Sequence, residues 1–442
     1  MADTATKREP QPPTHWKQYI WAIGPGFFIA MAWLGTGDLI DNSVSGANYG
    51  YALMWALVLA LVTKFFFVSA LSKYQLGNAV GDETVMQGFA RVWRPLSRIL
   101  AICIGCLIFV YESYFVPGAG TALFHLFGEV GGRYGIFLWS ALVVAVSILI
   151  LVSGREYKIM EVFARVTVAL LVLTFVIAAA IQRPDFGALL EGLVFQTPPD
   201  RGVIGSTILA VSIMGIVGVT PATIIYPYAI QEKGWKGLGF RRLQLVDAFV
   251  GIAAIAIIDL AVWTTSAETM RGRGATIDAP DDLSAMMERA IGPIGPTLLW
   301  LALFFVTFSS IASTAYIYTR MVADGFTASR KGGRDARKAG RTEGRIMRYL
   351  PIAALIVPLV FTLPWAPNLI TLTVLGGAIS VLAVPAFLFG IIYITTSRRL
   401  MLPGAANKWW EIVILLIISV IAVWAIYGLL VNIGGTIAGL FG

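Results

Sequence analysis

Residues 33–38 of the chain read Trp-Leu-Gly-Thr-Gly-Asp and residues 218–222 read Gly-Val-Thr-Pro-Ala, each within an apolar stretch of membrane-spanning length. Gly and Pro interrupt a spanning helix and free backbone amides and carbonyls that lipid cannot satisfy. Such breaks persist only where they line a cavity or are buried in protein. A matched pair of breaks in two halves of a chain indicates a secondary transporter built from repeats. Because Asp38 lies at the first break, the expected substrate is a cation.

The composition is that of a polytopic membrane protein. Of the 442 residues, 57% are hydrophobic and only 13% are charged, and the mean hydropathy is +0.78, whereas a soluble domain carries about 25% charged residues. The net charge of +8 therefore does not indicate binding of nucleic acid. Two Cys and two His are too few for a His- or Cys-based metal centre, and no cofactor is expected. The polar, Pro-rich residues 1–16 are not a signal peptide and are expected to form a disordered cytoplasmic leader.

Eleven segments satisfy the requirement of roughly 20 mostly apolar residues for a spanning helix. Their approximate limits are 18–45, 49–72, 97–127, 133–153, 160–182, 204–231, 243–266, 295–322, 350–364, 369–396 and 409–432. Lys and Arg concentrate in alternate loops, which predicts a cytoplasmic N-terminus and, with eleven spans in the cell (inner) membrane, an external C-terminus. The basic run 330–338 is then a cytoplasmic loop or a site for anionic membrane lipid.

Polar residues inside the predicted spans are the candidates for substrate binding. An acid at the bilayer centre costs about 2.5–3.5 kcal/mol on insertion scales, so each one needs a function or a partner. Asp38 is the strongest candidate, because unwound backbone beside it at Gly35 offers carbonyl oxygens, and carboxylates with carbonyls bind hard cations. Asp41 lies one helical turn further and could share the cavity or cap the half-helix that restarts there. Thr36 and Thr220 could ligate a cation or bond their own backbone.

Four further charged residues are less clearly placed. Glu112 lies deep in the third span, where it could be a second acid near the site, a proton carrier or half of an ion pair. Arg348, at the start of the ninth predicted span, is the candidate partner for it. Asp259 and Lys64 are also within spans, and the sequence assigns them no role.

The Gly-Pro-Gly-Phe at 24–27, the broken first helix and Tyr-Gly-Tyr at 49–51 together resemble the NRAMP family of metal-ion transporters. Residues 241–247 and 308–310 also look like that family. The resemblance implies an all-α membrane protein of the LeuT-type fold, in which two inverted five-helix repeats surround a central site. The implied divisions of the chain are the first repeat at 17–185, the second repeat at 186–400, and an eleventh helix with a tail at 401–442.

The departures from the family pattern concern the substrate. Positions 35–38 read Gly-Thr-Gly-Asp where the family has Asp-Pro-Gly-Asn, and positions 220–222 read Thr-Pro-Ala where it has Met-Pro-His. An acid is therefore retained while a soft sulfur ligand is lost, which favours a hard cation bound by oxygen. The loss of the His associated with proton coupling implies transport without strong coupling to protons. Glu112 matches an acid of the family's proton pathway.

The sequence looks most like the family's branch of NRAMP-related magnesium transporters. Mg²⁺ keeps several waters, so one carboxylate with a few carbonyls and hydroxyls can suffice to bind it. On this hypothesis Asp38, Thr36, Thr220 and the Val217 carbonyl face a partly hydrated Mg²⁺.

Two other functions are compatible with parts of the sequence. Aromatic residues near one acid also suit an organic cation through cation–π contacts; the candidate lining residues are Trp33, Tyr111, Tyr114 and Tyr226. The Gly-Thr-Gly-Asp at 35–38 also matches the Gly-x-Gly-Asp motif of intramembrane aspartyl proteases. That chemistry needs a second carboxylate to share a proton, and the expected partner motifs are absent from the sequence. An enzyme is therefore not expected.

Overall fold

The structure is a computed structural model that describes residues 11–13, 15, 18–19, 33–81, 83–128, 130–153, 166–167, 169–270, 274–328 and 336–441. Sixteen helices are labelled within these residues. They are α1 Thr36–Tyr49, α2 Met54–Gly77, α3 Val85–Val92, α4 Arg94–Phe127, α5 Gly135–Ser153, α6 Ala169–Gln182, α7 Phe186–Glu191, α8 Ser206–Ile216, α9 Ile225–Glu232, α10 Arg241–Met270, α11 Pro280–Ile291, α12 Gly295–Thr327, α13 Ala336–Ile356, α14 Leu369–Ser380, α15 Val384–Thr396 and α16 Trp409–Phe441.

Most of the predicted spans correspond to single long helices. In the part of the chain that the structure describes, eight helical segments are long and apolar enough to cross a membrane, and α6 and α8 are shorter apolar helices. The α14 and α15 helices form one such segment, Leu369–Thr396, through a 3₁₀ turn at Val381–Ala383. Of the first predicted span, 18–45, the structure describes residues 18–19 and 33–45, and the latter include the start of α1. The leader at 1–16 lies largely outside the described residues, and the motif at 24–27 lies entirely outside them.

The predicted start of the ninth span, residue 350, is wrong. Helix α13 begins at Ala336 and continues through a 3₁₀ segment at Val357–Thr362, so the helical segment that qualifies as a candidate span runs from 339 to 362. Arg341, Arg345 and Arg348 are exposed on the first turns of this helix. Long basic side chains can keep their charge in water while their stems lie along an apolar surface. A composition rule that stops at the first charge therefore places the helix start too late.

The outer faces of the bundle are apolar, and its interior contains one helix that is rich in polar residues, α1. Exposed apolar side chains lie on the outer helices, for example Leu149 and Val152 of α5 and Val420 and Val431 of α16. All fourteen residues of α1 are buried, and they include two acids, three Ser or Thr residues and two Asn. An isolated polar helix would be unstable in lipid, so α1 depends on the surrounding helices to hold it.

Helix α1 packs closely against α10. A Cβ at Gly46 would collide with the Ser266 hydroxyl and with the Trp263 carbonyl oxygen. Just beyond the end of α1, the Trp263 indole donates a hydrogen bond of 2.7 Å to the Gly50 carbonyl. Small residues such as Gly46 let the backbones of two membrane helices approach closely. This contact with α10 fixes α1 at the centre of the bundle.

We expect Gly46→Ala to destabilise the protein, because the new methyl group meets backbone that cannot move aside. Overpacking of this kind costs about 1–3 kcal/mol. The matched control is Gly344→Ala in α13, where a Cβ meets no atom within 4 Å and where Ala favours a helix by about 1 kcal/mol over Gly. Thermal melting in detergent should show a lower transition temperature for Gly46→Ala and an equal or higher one for Gly344→Ala. Equal melting of Gly46→Ala and wild type would contradict the close contact.

Candidate functional site

The first helix break is held by the side chain of Asp38. Leu34 and Gly35 are non-helical and α1 begins at Thr36. The Gly35 N–H donates a hydrogen bond of 2.8 Å to Asp38 Oδ2, which satisfies one amide that the break would leave free. Asp38 Oδ1 is buried and has no hydrogen-bond partner among the described residues. One carboxylate oxygen thus stabilises the break and the other is available to a cation.

Asp41 does not cap the half-helix, since Asp38 does so. Asp41 Oδ2 instead accepts a hydrogen bond of 2.5 Å from the hydroxyl of Ser212, which ties α1 to α8. Its other oxygen and the Thr36 hydroxyl are both buried without a hydrogen-bond partner in the described part of the chain. Asp41 and Thr36 therefore add polar atoms beside Asp38 that no described residue satisfies.

The second break separates α8 from α9. Helix α8 ends at Ile216, residues 217–220 are non-helical, and a 3₁₀ turn at Pro221–Ile224 leads into α9. The Thr220 carbonyl accepts hydrogen bonds from the backbone N–H of Thr223 at 3.0 Å and from its hydroxyl at 2.6 Å. The side chain of Thr220 lies beside the Tyr111 hydroxyl. The predicted break is therefore confirmed.

The two breaks meet at small residues. A Cβ at Gly37 would collide with the side chain of Ile216, the last residue of α8. On the other side of the first break, a Cβ at Gly35 would lie 3.3 Å from the Phe115 ring of α4. Helix α14 closes the remaining side, where a Cβ at Gly377 would collide with Ser212. Four elements thus enclose the site, and Asp38 is only 1% exposed.

The predicted aromatic residues divide into two groups. Tyr111 and Tyr114 lie on α4 next to the breaks, with their ring centroids 6.1 Å apart in an edge-on arrangement. Trp33 and Tyr226 form a second pair with centroids 6.1 Å apart. The Tyr226 hydroxyl, however, donates a 2.7 Å hydrogen bond to Asp247 of α10. The Tyr226 hydroxyl therefore links α9 to α10.

Lys64 and Asp259, to which the sequence analysis assigned no role, both lie at the site. Lys64 of α2 is 1% exposed and lies within electrostatic reach of both Asp38 and Asp259. Both carboxylate oxygens of Asp259 lack a hydrogen bond to any described residue, and the Asn42 side chain of α1 lies beside them. A charge within an apolar run marked each residue as unusual in the sequence. Their partners lie on other helices, so the sequence could not predict which groups they contact.

The structure does not bring Glu112 and Arg348 together. Neither carboxylate oxygen of Glu112 has a hydrogen-bond partner in the described ranges. The Arg348 guanidinium instead lies 5.6 Å from the ring centroid of its neighbour Tyr349. Glu112 is close to Tyr318 of α12. It lies one residue from Tyr111 along α4, so it is a buried acid near the second break.

One end of the bundle is closed by a network around Asp324 of α12. Asp324 accepts hydrogen bonds from the hydroxyls of Tyr228 at 2.7 Å and Thr84 at 2.5 Å. These donors belong to α9, which follows the second break, and to the N-terminus of α3. At the same end, Arg320 and Glu232 form an exposed ion pair of 2.7 Å between α12 and α9. The half-helix after the second break is thereby tied to α12 and α3.

The opposite end is closed by loop contacts around Asp278. The Val203 N–H donates to Asp278 Oδ1 at 2.7 Å, and the Asn368 amide donates to the Asp278 carbonyl at 2.8 Å. The Ile277 N–H donates to the Asn48 side chain of α1 at 2.8 Å. The half-helix after the first break is thus tied to the loops that precede α8, α11 and α14.

The described residues contain no cluster of three or more His, Cys, Asp or Glu arranged to hold a metal ion. A resident metal centre needs such a complete set of ligands, whereas a transported ion is bound weakly enough to leave and can keep part of its water. A polytopic bundle with two helix breaks that meet at a buried carboxylate is the architecture of a secondary transporter.

Comparisons with known proteins agree with this class. The manganese transporter of Eremococcus coleocola, solved with an aromatic bis-isothiourea compound, superposes with a TM-score of 0.72 at 19% identity, covering 98% of this chain and 90% of that one. MhsT, solved with L-phenylalanine, superposes with a TM-score of 0.51 at 14% identity, covering 92% of this chain and 98% of that one. These likenesses confirm the LeuT-type fold.

The family follows from the sequence comparisons. The divalent metal cation transporter MntH of Bacillus subtilis is 22% identical over 409 residues, which are 91% of this chain and 89% of the relative. The MntH protein of Yersinia pestis is 23% identical over 292 residues, 65% of this chain and 69% of that relative. The family described as natural resistance-associated macrophage protein-like matches residues 26–431. The chain belongs to this Nramp family, whose members are metal-ion transporters and not enzymes, so the Gly-Thr-Gly-Asp at 35–38 is not a protease motif.

We expect Asp324→Ala to loosen the closed end, because the Tyr228 and Thr84 hydroxyls lose a shared acceptor. A buried donor left unsatisfied costs about 1–3 kcal/mol. Hydrogen–deuterium exchange should increase in Val85–Val92 and Ile225–Glu232. The control is Glu232→Gln, which removes an exposed ion pair worth about 0–1 kcal/mol and should leave exchange unchanged. Equal exchange in Asp324→Ala and wild type would show that the network does not hold this end closed.

Proposed function

We propose that this protein carries a hard divalent cation, Mg²⁺, across the cell membrane by alternating access, without strong coupling to protons. The observation that carries the proposal is the buried Asp38, with one oxygen fixed by the Gly35 N–H and the other without a hydrogen bond to any described residue. The relatives named divalent metal cation transporters support the substrate class.

The choice of a hard ion rests on the atoms around Asp38. The residues on the two breaks that offer ligands are oxygen donors, namely the Asp38 carboxylate, the Thr36 and Thr220 hydroxyls and the Val217 carbonyl. Oxygen ligands suit Mg²⁺, whereas thioether and imidazole suit softer transition metals. Thr220 occupies the position at which the family's motif has Met. This replacement favours Mg²⁺ over the manganese of the named structural relative.

Transport without strong proton coupling is supported by the placement of histidine. His125 stacks on the Trp300 ring with centroids 4.0 Å apart, at the end of α4, and His15 precedes the first span. The two positions at which the family has His near the second break are Ala222 and Pro227. Glu112 remains as a buried acid one residue from Tyr111, so a direct measurement of proton movement is part of the test.

The arrangement in the membrane is also part of the proposal. The N-terminus is cytoplasmic and the C-terminus external, in accordance with the distribution of Lys and Arg. The first repeat comprises 17–185 and the second 186–400. The Asp324 network then closes the cytoplasmic side and the Asp278 contacts close the external side. Alternating access requires each set to open in turn.

The deciding experiment compares wild type with Asp38→Asn in proteoliposomes loaded with a Mg²⁺ indicator. Wild type should take up Mg²⁺, and Asp38→Asn should lose roughly tenfold or more of that rate, since even outer-shell partners of metal ligands are worth about 10–100-fold. The matched control is Asp281→Asn, which alters a carboxylate whose side chain is 87% exposed and should leave uptake unchanged. Uptake by Asp38→Asn at the wild-type rate would refute the site.

A pH dye and Mn²⁺ uptake are recorded with the same vesicles. Uncoupled transport predicts that Mg²⁺ influx continues with no change in lumenal pH and that a pH gradient does not drive it. Protons moving in fixed proportion to Mg²⁺ would overturn the uncoupled mechanism, and Mn²⁺ uptake faster than Mg²⁺ uptake would overturn the choice of ion.

One observation favours a small organic cation as a second candidate. The Lys64 ammonium lies 5.2 Å from the centroid of the Trp33 ring, so an ammonium group already fits against an aromatic face at the first break. Methylammonium and choline are suitable probes of this alternative. Uptake of either one by wild type, in the absence of Mg²⁺ or Mn²⁺ flux, would make the organic cation the substrate.

A further inference from the structure

Lys64 is a cation in a position where a membrane protein rarely places one. It lies in the middle of α2, a span of 24 residues, and is 1% exposed. A charge at this depth is costly and pairs with another charge or serves transport. Lys73, the other lysine of α2, lies near the helix end and forms a 2.6 Å ion pair with Glu411. No described loop residue forms such an ion pair with Lys64, and its charge lies within electrostatic reach of Asp38 at the first break.

Three acids surround this part of the site. Lys64 lies within electrostatic reach of Asp38 and Asp259, and Asp41 is in turn close to Asp38. Asp38 Oδ1, Asp41 Oδ1 and both oxygens of Asp259 have no hydrogen-bond partner among the residues that the structure describes. These oxygens are buried from bulk solvent, so their charge depends on the groups that lie beside them. Among the described residues, Lys64 is a positive charge placed to compensate it.

The ammonium is not held by an ion pair within 4.0 Å to any described carboxylate. Its partner on the other side is the face of the Trp33 ring at 5.2 Å, which attracts a cation without a directional hydrogen bond. The four-carbon stem of lysine is flexible, so the ammonium can move away from Asp38 without moving α2. A fixed ion pair such as that of Lys73 and Glu411 does not offer this freedom.

We propose that Lys64 is a built-in counter-ion, whose ammonium compensates Asp38 in the empty carrier and is displaced when the transported cation binds. The inference rests on the proposed function, since it requires a cation substrate at Asp38. Its physical reason is that an uncompensated buried carboxylate is strongly unfavourable. An empty carrier must reorient with its site closed, and a tethered ammonium allows this step without a bound ion or a proton.

The counter-ion role predicts different effects on net Mg²⁺ uptake and on Mg²⁺ exchange. Net uptake requires the empty carrier to return across the membrane, whereas exchange of isotopic Mg²⁺ for Mg²⁺ uses only the loaded carrier. Lys64→Met removes the ammonium and keeps an unbranched apolar side chain. We expect net uptake to fall by roughly tenfold or more, exchange to continue at the wild-type level, and Mg²⁺ to bind more tightly because its internal competitor is gone.

Lys73→Met is the matched control, because it removes a lysine from the same helix and breaks an ion pair away from the two helix breaks. It should leave the ratio of net uptake to exchange unchanged. Lys64→Arg keeps the positive charge and should restore part of the net uptake. Unchanged net uptake in Lys64→Met would overturn the counter-ion role, and so would loss of exchange together with net uptake in a folded variant.

A failure of the proposed function is distinguishable, because wild type would then show neither Mg²⁺ uptake nor Mg²⁺ exchange. If no neutral variant at position 64 folds, the wild-type protein provides the test. Displacement of the ammonium from Trp33 should change the fluorescence of that residue when Mg²⁺ binds, measured as the difference between wild type and Trp33→Phe. Mg²⁺ binding without such a difference would overturn the inference.

Discussion

The constraint on which the rest of the structure depends is that a broken helix inside a membrane must satisfy its own backbone and its own charges. At the first break the Asp38 carboxylate accepts from the Gly35 N–H, and at the second break the Thr220 carbonyl accepts from Thr223. Neither solution survives contact with lipid. The breaks are therefore enclosed by α4, α10 and α14, and glycines at the contacts allow the helices to approach. The site is a consequence of this enclosure.

Enclosure makes charge balance the main energetic problem of the site. Asp38, Asp41 and Asp259 lie near one another around the first break, and Ser212, Asn42 and Lys64 are the polar groups that the protein places beside them. A single cation among these oxygens improves the balance. That is the physical basis for assigning a cation substrate, and it is also why the basic residue on α2 belongs to the same argument as the acids on α1 and α10.

The two ends of the bundle are closed by different chemistry. Around Asp324 the closure uses buried side-chain hydroxyls on a carboxylate, whereas around Asp278 it uses backbone N–H groups and an amide from loops. Each closure holds the half-helix that follows one of the breaks. In the proposed alternating-access mechanism, opening either end moves a half-helix that carries part of the site, and access is thereby coupled to binding.

The sequence by itself determined the class of protein, the positions of both helix breaks and the presence of an acid, Asp38, at the first break, because a long apolar run, a Gly–Pro interruption and a charge within lipid are local properties of the chain. It failed where the outcome depends on neighbours. It placed the start of the ninth span at residue 350, left open whether Asp41 caps α1 or shares the cavity, proposed a partner for Glu112 that lies elsewhere, and gave Lys64 and Asp259 no role. Only the tertiary structure decided these points, because a buried charge is assigned by the groups that face it from other helices.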